Sequence, residues 1–257
     1  MPRTGRYHEG VPCWVALRAP DVAAARRFYR ELFGWDYVAT GAAADGRLVA
    51  TLQGVQVAGI EPGRKGERST DAWTTYLRAD RADPVAGRIR EAGGRVLTEP
   101  FDVADQGRTA IAADPQGAVF GLWQGGLNDG SGLANEPGSF TWNELLCTDA
   151  ALARAFYRRV FGYEYGAQPQ APADYAVVKV AGSPVGGIGA LPGPYPPGTP
   201  PLWSTTFAVA DADRTAALVG ELGGEVLSPP QDTPFGRRAV VRDPGGAAFS
   251  LLAATGW

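Results

Sequence analysis

Glu144 stands two residues after Trp142 in the segment Trp-Asn-Glu-Leu-Leu. Side chains alternate along a strand, so residues two apart share a face. Burial on an apolar face raises a carboxyl pKa and suits the group to giving or taking a proton. A salt-bridged or hydrogen-bonded buried acid is the alternative reading of the same residue. Four of the seven tryptophans, Trp14, Trp73, Trp142 and Trp203, open equivalent strands, and three of them stand seven residues before an aspartate. Such rings would stack a planar or apolar ligand, or would simply fill space. Thr75 and Thr205 follow Trp73 and Trp203 by two residues, where their hydroxyls would orient the same ligand. Arg108 and Arg237 are either surface charges or anchors for an anionic group.

Metal donors and nucleophiles are scarce. His8, before the first strand, is the only histidine. A facial triad takes two histidines, so non-haem iron oxygenase chemistry of that type is excluded within one chain. An all-carboxylate Mg or Mn site stays open, but no acidic cluster occupies suitable places. Cys147 has no histidine to serve as its base. Two cysteines, Cys13 and Cys147, are too few for a disulfide framework and point to free thiols in a reducing compartment.

The net charge of −3 over 257 residues gives no nucleic-acid footprint and no attraction to an anionic membrane. No apolar run approaches the ~20 residues that span a bilayer. The N-terminus, MPRTGRYHEG, lacks the apolar core of a secretion signal. A cytoplasmic protein is expected, as a monomer or homodimer, with a small-molecule ligand rather than nucleic acid or membrane as its partner.

The elements that position these residues come from a repeat. WVALRAPDVAAARRFYRELFGWDY from Trp14 aligns without a gap on WNELLCTDAALARAFYRRVFGYEY from Trp142. WTTYLRADRADPVAGRIREAGGRVL from Trp73 aligns in the same way on WSTTFAVADADRTAALVGELGGEVL from Trp203, and GRTAIAADPQGAVF from Gly107 on GRRAVVRDPGGAAF from Gly236. The chain is therefore a tandem duplication. Each half carries two similar blocks. A Trp-led strand leads to a helix, opened by Asp21 in the first block and by Asp83-Pro84 in the second. Strands follow, the last two joined by an Asp-Pro-x-Gly turn. The predicted unit is β-α-β-β-β, used four times. Tyr29 and Tyr157 fall on the apolar helix faces and read as core. Gly59, Gly186 and Gly187 sit in strand segments where a missing side chain would deepen a cup. Residues 1–124 and 139–257 form the two halves, with 125–138 as the linker. The proline-rich segment 191–201 reads as a crossover within the second half.

FYRELFGW (28–35), DPQGAVFGLW (114–123), FYRRVFGY (156–163) and DPGGAAFSLL (243–252), in that order, resemble the glyoxalase / bleomycin-resistance / extradiol-dioxygenase (vicinal oxygen chelate) superfamily, in its two-domain, hydroxylase-labelled form. The resemblance implies an α+β fold: four βαβββ modules in two tandem domains, with curled mixed sheets enclosing pockets. It also implies a divalent ion held by His or carboxylate from the opening strands and by a Glu after the DPxG turn. The opening-strand positions hold Trp14, Trp73, Trp142 and Trp203, and the Glu positions hold Gly121 and Ser250. None is a plausible metal ligand, so no metal and no other cofactor is expected. Two functions follow. One is metal-independent binding of a small planar or apolar metabolite, for sequestration or carriage, in cups lined by the four tryptophans with Thr75, Thr205 and Ser250. The other is a metal-independent lyase, isomerase or hydroxylase-like enzyme with Glu144 as its catalytic acid or base. Glu144 makes the C-terminal half the better candidate.

Overall fold

The computed structural model describes residues 7–39, 46–63, 72–168, 174–191 and 198–254. The first unit runs β1 (Pro12–Ala19), α1 (Val22–Phe33), β2 (Asp36–Ala39), β3 (Leu48–Leu52) and β4 (Val55–Pro62). The second runs β5 (Ala72–Arg78), α2 (Ala82–Glu91), β6 (Arg95–Val103), β7 (Gly107–Ala113) and β8 (Val119–Gly125). In the C-terminal half, β9 (Phe140–Cys147), α3 (Ala150–Phe161), β10 (Glu164–Ala167), β11 (Ala176–Val180) and β12 (Ser183–Ala190) form the third unit. The fourth is β13 (Leu202–Ala208), α4 (Ala212–Glu221), β14 (Glu225–Thr233), β15 (Gly236–Arg242) and β16 (Ala248–Ala254). The fold is α+β, as expected. Among the described residues no helix is long and apolar enough to cross a membrane.

Each half is one curled, open, eight-stranded sheet, ordered β2-β3-β4-β1-β5-β8-β7-β6 and β10-β11-β12-β9-β13-β16-β15-β14. The two opening strands of each half pair antiparallel at the centre, and each pairs in parallel with the last strand of its own unit. Parallel pairing requires a crossover, which the helix supplies.

Helix starts differ between units. Asp21 accepts from the Ala24 amide at 2.9 Å and Asp149 from the Leu152 amide at 2.9 Å. In α2 the capping position falls on Arg81, which makes no side-chain cap, and Gln124 Oε1 accepts from the Ala82 amide instead. Asp83, expected to open α2, lies inside its first turn and pairs with Arg108. In α4 the cap is Asp211. Trp14 and Trp142 therefore stand seven residues before their caps, whereas Trp73 and Trp203 stand eight before theirs.

The halves interlock through their helix-bearing faces. One core cluster joins Leu17, Tyr29, Trp35 and Trp73 to Phe207, Val219 and Phe249, and the other joins Leu77, Ile89 and Phe120 to Tyr157, Tyr163 and Trp203. Tyr29 and Tyr157 are fully buried, and their hydroxyls cross between halves. Tyr29 donates to Asp243 Oδ2 at 2.8 Å and accepts from Trp73 Nε1 at 3.1 Å. Tyr157 donates to Asp114 Oδ2 at 3.4 Å and accepts from Trp203 Nε1 at 2.9 Å. The turn aspartates thus join the halves as well as shaping their hairpins.

The connection between the halves is packed. Trp35 Nε1 donates to the Gly138 carbonyl at 2.7 Å, and the Ser131 amide donates to the Cys13 carbonyl at 2.7 Å. Within the proline-rich segment, residues 192–197 lie outside the described residues.

Candidate functional site in the C-terminal sheet

The helix-free face of the C-terminal sheet carries a connected polar cluster. Trp142 and Glu144 on β9 share that face, with Ser250 on β16, Arg238 on β15 and Tyr175 just before β11. Glu144 Oε1 accepts from Arg238 Nη2 at 2.5 Å, and Arg238 Nη2 also donates to Ser250 Oγ at 3.0 Å. Tyr175 donates its hydroxyl to Glu144 Oε2 at 3.3 Å and accepts from Trp142 Nε1 at 3.0 Å. Burial, and next the neighbouring Glu144 carboxylate, push the Tyr175 phenol above its ordinary range. The Tyr175 ring lies on a glycine floor: a Cβ at Gly187 would sit 2.0 Å from its hydroxyl oxygen, and one at Gly189 would sit 2.7 Å from Cδ2. Those glycines admit the ring rather than leaving empty depth. Glu144 is the buried partner at 6% side-chain exposure, whereas Arg238 keeps 30%. Leu146 and Val240 add an apolar border.

Of the two readings of Glu144, the structure provides the salt bridge. A carboxylate clamped by a guanidinium remains a hydrogen-bond acceptor.

Trp73, Trp203, Thr75 and Thr205 do not join this cluster. Trp73 pairs with Leu17 and Thr75 with Val15, so both face the helices; Trp203 and Thr205 pair with Leu145 and Asn143 on the same side. A one-residue change of phase moves a side chain to the other face of a strand, and the later caps of α2 and α4 mark that change. Trp73 and Trp203 bind the Tyr29 and Tyr157 hydroxyls instead. Thr75 and Thr205 both donate to Asn143 Oδ1, at 2.9 and 3.1 Å, and so join the central strands of the two halves.

The corresponding face of the N-terminal half is filled by its own rings. Trp14, Tyr76 and Trp123 pack there with Cys13 and Ala16, each ring no more than 8% exposed. A Cβ at Gly121 would lie 2.1 Å from Tyr76 Cδ1, so the ring occupies the space that a side chain at 121 would need. A separate cavity of about 700 Å³ lies beside the connection, near Gln56, Arg78 and Asn128. Arg78 is paired there with Asp129, which neutralises its charge.

The remaining candidates are placed as follows. Arg108 binds Asp83 and Asp102, and Arg237 binds Asp213 and Asp232, all as surface pairs. Cys147 Sγ donates to the Gly189 carbonyl at 3.4 Å. Burial pushes its thiol up to about 11, which leaves no thiolate nucleophile near neutral pH. Sequence reasoning missed Arg238 and Tyr175. Arg238 aligns with Thr109 in the repeat. A comparison of the halves for exchange of an uncharged residue for a charged one would have found it.

A family model for the Glyoxalase/Bleomycin resistance protein/Dioxygenase superfamily matches residues 13–122 and 139–251. The chain belongs to this superfamily. It is 41% identical over 258 residues to "Putative glyoxylase CFP32" of Mycobacterium tuberculosis, covering 98% of each chain. It is 38% identical over 267 residues to "Anthracycline biosynthesis protein DnrV" of Streptomyces peucetius, covering 96% of this chain and 94% of that one. Among solved structures it resembles the Mn(II)-bound glyoxalase from Novosphingobium aromaticivorans (TM-score 0.64, 17% identity, 96% of this chain and 83% of that one). It also resembles the 2,3-dioxygenase LapB from Pseudomonas sp. KL28 (TM-score 0.67, 14% identity, 98% and 94%). At those identities the structural likenesses show the fold alone.

The donor set of this superfamily member does not fit the divalent ion that the fold implies. On the helix-free face the opening strands present Trp14, Ala16, Thr74 and Tyr76 in one half and Trp142, Glu144, Ser204 and Thr206 in the other, with Gly121 and Ser250 across from them. The one carboxylate in either set is Glu144, and it is spent on Arg238. Among the described residues no group of three or more His, Cys, Asp or Glu side chains is placed to hold a metal.

Proposed function

We propose that this chain binds a small planar molecule against Trp142 in the C-terminal half, without a metal ion. The observation that carries this reading is the difference between two equivalent rings. Trp14 is buried with Tyr76 and Trp123, whereas Trp142 remains part-exposed beside the Glu144–Arg238 pair. An accessible indole flanked by a few convergent polar groups suits stacking of a flat ligand. The kinship with a protein named for anthracycline biosynthesis supports the same reading, because anthracyclines are flat and polycyclic. Quenching of tryptophan fluorescence by planar polycyclic compounds tests it. Saturable quenching in the protein treated with chelator, lost in Trp142→Leu, is the expected result. Quenching that survives the substitution would place the ligand elsewhere.

A second reading, catalysis with Glu144 as acid or base, is favoured by the Tyr175 hydroxyl held against the carboxylate. Under it, Glu144→Gln keeps the quenching and loses turnover of the compound that binds.

A further inference from the structure

We infer that the Glu144–Arg238 pair reads the edge of the ligand, selecting a planar ring that carries an N–H donor next to a carbonyl acceptor, as in a cyclic amide. The inference rests on the stacking reading above and names the ligand class for that site. Four features support it.

The first is spacing. Residues two apart on a strand are separated by about 7 Å. A fused ring stacked on Trp142 therefore brings its edge over Glu144 and the guanidinium bound to it. The second is the chemistry of the pair. An ionised carboxylate only accepts hydrogen bonds and a guanidinium only donates them. The two are held together by Arg238 Nη2 on Glu144 Oε1 and fixed from behind by Ser250. Side by side they present an acceptor and a donor, the complement of an edge bearing a donor and an acceptor.

The third is charge. The positive guanidinium and the negative carboxylate cancel, so an anionic ligand gains attraction from one and repulsion from the other. A neutral amide edge satisfies both. The 3.3 Å bond from Tyr175 to Glu144 Oε2 is long for an O–H donor, so the ligand N–H competes for that oxygen on good terms. The fourth is the border. Leu146 and Val240, buried beside the pair against Leu191, Leu202 and Leu227, make its flank apolar, which favours an apolar ring body over a sugar or a phosphate.

The experiment is calorimetric titration of the intact protein with phenanthridinone, its N-methyl derivative and an anthracene carboxylate, three flat tricyclic probes. Phenanthridinone is expected to bind about tenfold tighter than the N-methyl compound, the worth of one charge-assisted hydrogen bond. Arg238→Met and Glu144→Gln should each bring the two affinities together. Thermal unfolding checks that the variants fold. If Arg238→Met does not fold, the wild-type probe ratio and Glu144→Gln still decide. Equal affinity for the amide and its N-methyl derivative, or tightest binding of the carboxylate, would overturn the inference and leave the stacking reading standing. Failure of all three probes to bind would overturn both.

Discussion

Trp14 and Trp142 occupy the same position of a duplicated chain, yet Trp14 is buried and Trp142 is part-exposed. The difference lies in five exchanges between the halves. Glu144 replaces Ala16, Arg238 replaces Thr109, Ser250 replaces Gly121, Thr206 replaces Tyr76, and Leu252 replaces Trp123. In the N-terminal half a missing side chain at Gly121 lets Tyr76 lie flat, and Trp123 completes the packing. In the C-terminal half those rings are gone and a half-buried ion pair takes their place. Duplication kept the framework, and the exchanges set the faces apart: one is aromatic core, the other carries a polar cluster beside a part-exposed indole. Charge inside a fold is costly unless paired, and apolar packing of similar volume is often as stable. Keeping Glu144 and Arg238 in only one half therefore argues for binding rather than for stability.

The largest effect should come from moving the C-terminal residue into the N-terminal half. Gly121→Ser places a Cβ where it would meet Tyr76 Cδ1 at 2.1 Å, so the ring must leave its packed position. Overpacking of this severity costs about 3 kcal/mol, measurable by urea unfolding. The reverse exchange, Ser250→Gly, removes one hydrogen bond to Arg238 and costs about 1 kcal/mol. Equal costs would mean that the two faces are packed alike, and the comparison would collapse.

A smaller effect belongs to the ion pair. Arg238→Met leaves the Glu144 carboxylate buried without its countercharge, at a cost of about 2 kcal/mol, kept low because Arg238 is part-exposed. In the double variant with Glu144→Gln the loss should be less than the sum of the single losses, with a coupling of about 1 kcal/mol. Additive losses would show that the two residues stand near each other without depending on each other.

Much of this was legible in the sequence, and the rest was hidden by one residue of phase. The gapless alignments fixed the repeat, and the DPxG turns and the Asp21 cap marked their elements correctly. Trp142 and Glu144 were placed on one face because alternation along a single strand is local information, whereas Ser250, on β16, was named only through the resemblance. Trp73 and Trp203 went astray because their strands were phased by the first aspartate after each Trp or by analogy with the other units. The caps of α2 and α4 instead fall on Arg81 and Asp211. Arg238 and Tyr175 reach the cluster through sheet register and a glycine floor, which are non-local, so no motif announced them. The exchange across the tyrosine–aspartate contacts was equally invisible, since it joins residues 214 apart in one case.

Those contacts provide the smallest effect and a second asymmetry between the halves. Burial raises the Asp114 and Asp243 carboxyls above their ordinary value of 3.8. A raised group binds its proton more tightly in the folded chain. Its stabilisation is therefore complete below the ordinary value and is lost as pH rises through the raised one. The exposed acids Asp83 and Asp213 act in the opposite direction. Hydrogen bonds from Arg108 and Arg237 lower them, so their contribution holds above the ordinary value and fades only as pH falls through the lowered one. Between neutral pH and the ordinary carboxylate range, the buried pair sets the sign. Acidification over that window should stabilise the wild-type protein more than Asp114→Asn or Asp243→Asn, as read from urea midpoints at several pH values. The Tyr29 hydroxyl sits 2.8 Å from Asp243, against 3.4 Å from Tyr157 to Asp114, and a hydrogen bond to the ionised form opposes the rise. Asp114→Asn should accordingly flatten the slope more than Asp243→Asn. The reverse order would mean that burial, rather than the tyrosine bond, distinguishes the two turns.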